Sequence, residues 1–154
     1  MVDVFASGPL SGNPLAVITG GQALTTAQMQ QLTRWFNLSE TAFLLPPTQA
    51  QADYRVRIFT LDREMPFAGH PTLGSCHAWL AQGGVPQQAQ RIVQECAKGL
   101  IGIERQDGRL AFQAPSTDIS DVEPGLLDDV AAALGAERGP VSYTHLRAHE
   151  TGRN

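Results

Sequence analysis

The sequence predicts an α+β domain in which a curled, mostly antiparallel sheet wraps around one buried helix. Three observations lead there. Seven short segments read as strands, by period-two alternation or as apolar runs between turn formers. One helix is amphipathic, as a surface helix should be. A second helical stretch carries no charged face at all, so protein must surround it on every side.

Val2-Asp3-Val4-Phe5 alternates like a strand, and the turn formers of Gly8-Pro9-Leu10-Ser11-Gly12-Asn13-Pro14 separate it from the apolar Leu15-Ala16-Val17-Ile18. Thr25 or Thr26 can cap a helix whose apolar positions Met29, Leu32, Trp35 and Phe36 recur at three- and four-residue spacing before Asn37 closes it. Thr41 to Leu45 ends at Pro46-Pro47, and Tyr54 to Thr60 alternates, so each reads as a strand. Pro71 suits the first turn of the second helix, which runs through Leu73, Cys76, His77, Trp79 and Leu80 to Gly83-Gly84. Ala68, Gly69, Gly74, Ser75, Ala78 and Ala81 fill its other positions. Arg91 to Cys96, Leu100 to Arg105 and Arg109 to Gln113 complete the strands, with turns at Lys98-Gly99 and Asp107-Gly108. Val122 to Gly135 patterns as a third helix through Leu126, Leu127, Val130 and Leu134. The expected shared core comprises Phe43, Ile58, Leu73, Trp79, Leu80 and Val93.

A length of 154 residues suits one domain with a real core, and 42% hydrophobic with 17% charged residues fits a globular chain. A net charge of -4 with scattered basic residues disfavours nucleic acid as a partner. No apolar run approaches the roughly 18 residues that span a bilayer, and Met1-Val2-Asp3 lacks the regions of a signal peptide, so a cytoplasmic protein without a membrane partner is expected. Cys76 and Cys96 offer no disulfide framework.

Two segments carry candidate chemistry. In Glu64-Met65-Pro66-Phe67-Ala68-Gly69-His70-Pro71-Thr72, a Gly/Pro-rich turn delivers a histidine to the start of the buried helix. Free N–H groups and the positive end of the helix dipole favour a carboxylate there, and Gly69 lets a ligand approach the backbone. His70 either hydrogen-bonds or shuttles protons for that ligand, or caps the helix; the local sequence leaves both open. In Asn37-Leu38-Ser39-Glu40-Thr41, a carboxylate stands at the mouth of an apolar strand, where partial burial suits a general acid or base. A plain loop charge, or Ser39 capping local backbone, is the alternative. Asn13 sits in an Asn-Pro pair that serves a turn or a substrate hydrogen bond. His70, Cys76 and His77 lack the i, i+4 spacing of helical metal ligands, so no metal is expected, and a thiol inside a buried helix is ordinarily inert.

Taken together, Val2 to Phe5, Gly12-Asn13-Pro14-Leu15-Ala16-Val17, Ser39-Glu40-Thr41-Ala42-Phe43, and Arg57-Ile58-Phe59-Thr60 through Gly69-His70-Pro71-Thr72-Leu73-Gly74 resemble the PhzF family of phenazine biosynthesis, in order and spacing, from Val2 to about Pro115. The resemblance implies the diaminopimelate-epimerase-like fold, two similar domains with a cleft between them. It implies a cofactor-independent isomerase that moves a proton on a small carboxylic acid. The proton-transfer glutamate of the family falls on Glu40 and the Gly-His-Pro histidine on His70, with Asn13, Ser39, Gly69, Pro71 and Thr72 as expected substrate contacts. Diaminopimelate epimerase carries a cysteine where His70 stands, which argues against racemisation by two thiols. A homodimer is expected of the full-length protein. The alternatives are a non-catalytic small-acid binding or dimerisation module, and a hot-dog-type hydrolase.

The end of the chain differs in kind. Val141 to Thr151 resembles the translation of a transposase-type sequencing adaptor, continued by Gly152-Arg153-Asn154, so His145 and His149 carry no functional argument. The expected organisation is a first domain over 1–115, the start of a linker or second domain over 116–140, and a non-native tail over 141–154. A chain lacking its second domain is expected to be inactive alone.

Overall fold

The computed structural model describes residues 1–116 and 122–135. The chain divides into two compact units, Met1–Pro115 and Ser116–Asn154. In the first, eight strands form one sheet: β1 Val2–Val4, β2 Asn13–Ile18, β3 Thr41–Leu45, β4 Tyr54–Phe59, β5 Glu64–Met65, β6 Arg91–Cys96, β7 Gly99–Gln106 and β8 Arg109–Phe112. The order is β1-β2-β3-β4-β6-β7-β8, with β5 pairing β4 off this path. Pairings are antiparallel except β2 with β3 and β4 with β6. Two helices join them, α1 Thr26–Phe36 and α2 Gly69–Ala81. In the second unit α3 spans Pro124–Leu134 and closes on Gly135 at φ 62, where only a residue tolerant of left-handed backbone ends a helix cheaply.

Helix α2 touches β1, β2, β3, β4, β6 and β8, so the sheet curls around it. The uncharged faces of α2 predict this wrapping, but His77 and Ala81 are exposed, so among the described residues the helix is not surrounded on every side as expected. Its inner core gathers Val4, Leu15, Ala42, Leu44, Tyr54, Val56, Ile58, Cys76, Ile92, Ile101 and Ile103, with Leu73, Trp79 and Leu80 packed against them. Each fully buried valine, leucine or isoleucine among them contributes about 1.5–3 kcal/mol relative to exposure. Tyr54 and Trp79 stack at 5.3 Å between ring centroids.

The sheet also has an apolar outer face, and here two expectations are corrected. Phe43 belongs to a second cluster with Met29, Leu45 and Phe59 under α1, because alternation along β3 sends Ala42 and Leu44 inward and Phe43 and Leu45 outward. Val93 is half-buried and lies on the face opposite its buried neighbours Ile92 and Gln94. On α1, Met29 and Thr33 are buried while Trp35 is 77% exposed. Six residues beyond Met29 is about 240° around the helix, off the stripe that Met29, Leu32 and Phe36 share. Thr25 is the cap, its hydroxyl accepting from the Gln28 amide at 3.3 Å while the Gln28 side chain accepts from the Thr25 amide at 2.8 Å.

The Asp107-Gly108 turn forms as expected, with both residues at positive φ, 51° and 76°. The two-residue strand β5 carries no sequence signal of its own. Adaptor-like Val141 to Thr151, Gly152 to Asn154, and with them His145 and His149, lie outside the described residues.

Candidate active site

Topology brings the candidate groups to one edge. Because β2 and β3 are parallel, with Ala16 opposite Thr41, the starts of both strands lie side by side. Asn13 opens β2, and Ser39 and Glu40 lead into β3 after Asn37 ends α1 in left-handed backbone at φ 54. The start of α2 reaches the same edge because Gly74 lets the helix lie close to β1 and β2. A Cβ there would stand 2.6 Å from Leu15 Cδ2 and 2.8 Å from Val4 Cγ2.

His70 Nδ1 lies 3.5 Å from Glu40 Oε2 and 3.4 Å from Asn13 Nδ2, and the Ser39 hydroxyl donates to Asn13 Oδ1 at 3.5 Å. These contacts are at the long end of the hydrogen-bond range, so the four groups share a site without locking one another. The His70 side chain is 9% exposed and that of Glu40 20%. His70 Nε2 and Glu40 Oε2 are both buried without a hydrogen-bond partner in the protein. Burial pushes the His70 imidazole below the ordinary histidine value, and the nearby Glu40 carboxyl offsets this only in part. The ring is therefore a neutral hydrogen-bonding group over a wider pH range than a solvated histidine.

The helix start is uncapped. Ala68, at the cap position, offers no side-chain acceptor, and the first-turn amides of Gly69 and His70 have no intrahelical partner. Gly69 packs against Phe112, whose Cζ would lie 3.4 Å from an added Cβ. Two N–H dipoles without an intrahelical partner, beside a histidine and a glutamate, are groups of the kind that attract an anion and exchange protons.

Of the predicted site residues, Asn13, Ser39, Glu40, Gly69 and His70 come together. Pro71 and Thr72 are buried. The Thr72 hydroxyl donates to the Ala68 carbonyl at 2.9 Å and accepts from Gln94 Nε2 at 3.1 Å. Thr72 thus supports the helix start from below rather than offering its hydroxyl to a ligand. Gln94 was not singled out by sequence, although a polar residue on the inward register of β6 between Ile92 and Cys96 is a readable signal. Cys76 is buried at 0% exposure and its thiol is pushed up to about 12 by burial, which makes it packing and not a nucleophile. Among the described residues, no three His, Cys, Asp or Glu side chains gather where they could hold a metal ion.

The family model described as phenazine biosynthesis-like protein (PhzC-PhzF) matches residues 2–154. The chain belongs to this family. It is 39% identical over 148 residues to antisense-enhancing sequence 1 of Schizosaccharomyces pombe, covering 93% of this chain and 49% of that protein. It is 43% identical over 112 residues to trans-2,3-dihydro-3-hydroxyanthranilate isomerase of Pseudomonas aeruginosa, covering 71% of this chain and 38% of that enzyme. The structure of a predicted epimerase from Pseudomonas aeruginosa superposes with a TM-score of 0.66 at 33% identity, over 92% of this chain and 51% of its own. The fold is thus the diaminopimelate-epimerase-like one, and the family is one of isomerases. A hot-dog-type hydrolase finds no support in these matches. The chain spans about half the length of the curated relatives it matches. No helix among the described residues is long and apolar enough to cross a membrane.

Proposed function

We propose that this chain forms one half of a PhzF-like, cofactor-independent isomerase acting on a small carboxylic acid in the cytoplasm. Residues 1–115 are its first domain, 116–140 begin the linker or second domain, and 141–154 are not native. The observation that carries the reading is the 3.5 Å approach of Glu40 to His70 at an uncapped helix start. In this mechanism the substrate carboxylate rests on the Gly69 and His70 amides. Asn13 and Ser39 hold its polar substituents, and His70 hydrogen-bonds it as a neutral imidazole.

Glu40 takes a proton from a substrate carbon. The electron pair left behind forms a new double bond to the neighbouring carbon as the old double bond opens. The pair of the old bond moves to its far carbon, where the Glu40 carboxylic acid so formed returns the proton. Atoms and charge balance within the substrate and Glu40. Positioned proton transfer of this kind supplies about 10²–10⁴-fold in rate. It works best in a water-excluded site, which a second domain closing over Glu40 and His70 supplies. Without such a domain over the site little turnover is expected, and the full-length enzyme is expected to be a homodimer.

The test joins residues 1–140 to the second half of the Pseudomonas aeruginosa isomerase and follows trans-2,3-dihydro-3-hydroxyanthranilate by its ultraviolet spectrum. Turnover by the joined protein, none by the chain alone, and a loss of about 100-fold or more in Glu40→Gln support the reading. Unchanged turnover in Glu40→Gln would refute the acid/base assignment. Tight binding with no turnover in either form would instead favour a small-acid binding module, which the same uncapped helix start would serve.

A further inference from the structure

Beneath the start of α2 runs a buried chain of side-chain hydrogen bonds that touches neither Glu40 nor Asn13. The Tyr54 hydroxyl donates to Gln94 Oε1 at 2.9 Å, Gln94 Nε2 donates to Thr72 Oγ1 at 3.1 Å, and Thr72 Oγ1 donates to the Ala68 carbonyl at 2.9 Å. Tyr54 is 1% exposed, and Gln94 and Thr72 are 0%. Cys76, one turn further along α2, belongs to the same buried cluster as Tyr54.

The direction of this chain is fixed from its end. A backbone carbonyl only accepts, so the Thr72 hydroxyl must donate to Ala68 and its oxygen must accept. The Gln94 amide nitrogen therefore faces Thr72 and its oxygen faces Tyr54. Tyr54 then donates. The three bonds therefore all run in one sense, from Tyr54 to Ala68. A half-satisfied arrangement would be costly at this depth, so the chain holds a single geometry.

The end of the chain is the residue before Gly69 and His70. The first turn of α2 lacks the usual local fastenings, since Ala68 has no capping side chain and Pro71 has no N–H. What it has is the double bond of Thr72 to Ala68, from the amide at 3.2 Å and from the hydroxyl at 2.9 Å. Gln94 extends that fastening across to β6. Its position on the inward face next to Ile92 would otherwise take an apolar side chain.

We propose that Gln94 is a positioning residue: through Thr72 and the Ala68 carbonyl it sets where the Gly69 and His70 end of α2 stands relative to Glu40. The functional weight of this tie rests on the proposed acid/base site, but the tie itself does not require the chain to catalyse anything.

The test uses the whole chain, with His70 titrated by NMR and amide exchange measured along α2. Thr72→Val keeps the side-chain shape without the hydroxyl, and Gln94→Met keeps the length without the amide. Each should let water reach the helix start, raising the proton affinity of His70 by about threefold or more. The Thr72 amide should exchange about tenfold faster or more, beyond any change at Ala78 in mid-helix. Thr72→Ser, which restores the hydroxyl, should return both values toward those of the unaltered protein. Unaltered His70 titration in folded Gln94→Met or Thr72→Val would overturn the proposal. If Gln94→Met does not fold, the Thr72→Val and Thr72→Ser pair decides it alone. An isomerase that keeps its activity in Glu40→Gln would refute the proposed function and leave these shifts standing.

Discussion

Gly12, beside Asn13, is where a single methyl group should do most harm. A Cβ built there would lie 2.2 Å from the Val4 carbonyl oxygen, 2.7 Å from Asp3 Oδ1 and 2.8 Å from the Ala6 nitrogen. Two of these atoms are backbone, so no rotamer change relieves the clash. The Asp3 carboxylate currently accepts from the Gly12 amide at 3.0 Å and the Ser11 amide at 3.2 Å, and Val4 pairs with Asn13. Gly12→Ala must push β1 off β2 and break both carboxylate bonds. A hydrogen bond to a charged group contributes about 1.5–3 kcal/mol, and with this loop partly exposed the two together come to about 2–4 kcal/mol. That is a large share of the ~5–15 kcal/mol that holds a domain together. Urea unfolding followed by tryptophan fluorescence measures it, as a lower midpoint at unchanged slope. Gly8→Ala is the control, because nothing lies within 4 Å of its added Cβ; its effect should stay within about 0.5 kcal/mol. A Gly12→Ala protein as stable as Gly8→Ala would refute the reasoning.

Leu73 packs against the inner core yet is only half-buried, so Leu73→Ala should cost about 2 kcal/mol, the low end for such truncations, in the same unfolding assay. A loss below about half a kcal/mol would show that α2 is not central to the fold. Glu95 should make stability depend on pH. Burial pushes its carboxyl up, but hydrogen bonds from the Thr48 hydroxyl and from the Thr48 and Gln49 amides outweigh burial and hold it below the ordinary glutamate value. A depressed folded value stabilises the protein above the unfolded value of about 4.3, and that stability is lost as the pH falls through the folded value. Urea midpoints measured downward from neutrality should therefore fall in this acid window, and the fall should be shallower in Glu95→Gln.

How much of this was legible depended on what each segment has to satisfy. α1 announced itself through Thr25 or Thr26 at its start and Asn37 at its end, because caps act within one turn and leave local marks. α2 announced its central place by lacking any polar face. The two faces of β3 were not legible: Thr41 to Leu45 is buried on both sides, so no alternation distinguished Phe43 from Ala42. Trp35 misled because residue type and spacing suggested burial, while its angular position around α1 did not. At the site, Glu40 and His70 are thirty residues apart, and only the parallel pairing of β2 with β3 and the closeness allowed by Gly74 bring them within reach. Family motifs conveyed that pairing; periodicity alone did not. The Tyr54-Gln94-Thr72 tie is long-range in the same way, and its one local sign was a glutamine on an inward register.

The bare start of α2 sets an opposition between durability and use. Serine or aspartate at a helix cap is worth about 1 kcal/mol over alanine, so Ala68 is a place where the domain could readily be made sturdier. A residue there that served the helix best would lay its own oxygen on the His70 amide and, on the proposed function, become a tethered competitor for the substrate carboxylate. On that proposal, engineering for thermal tolerance that treats this position as an oversight would be selecting, unawares, for a self-inhibited protein.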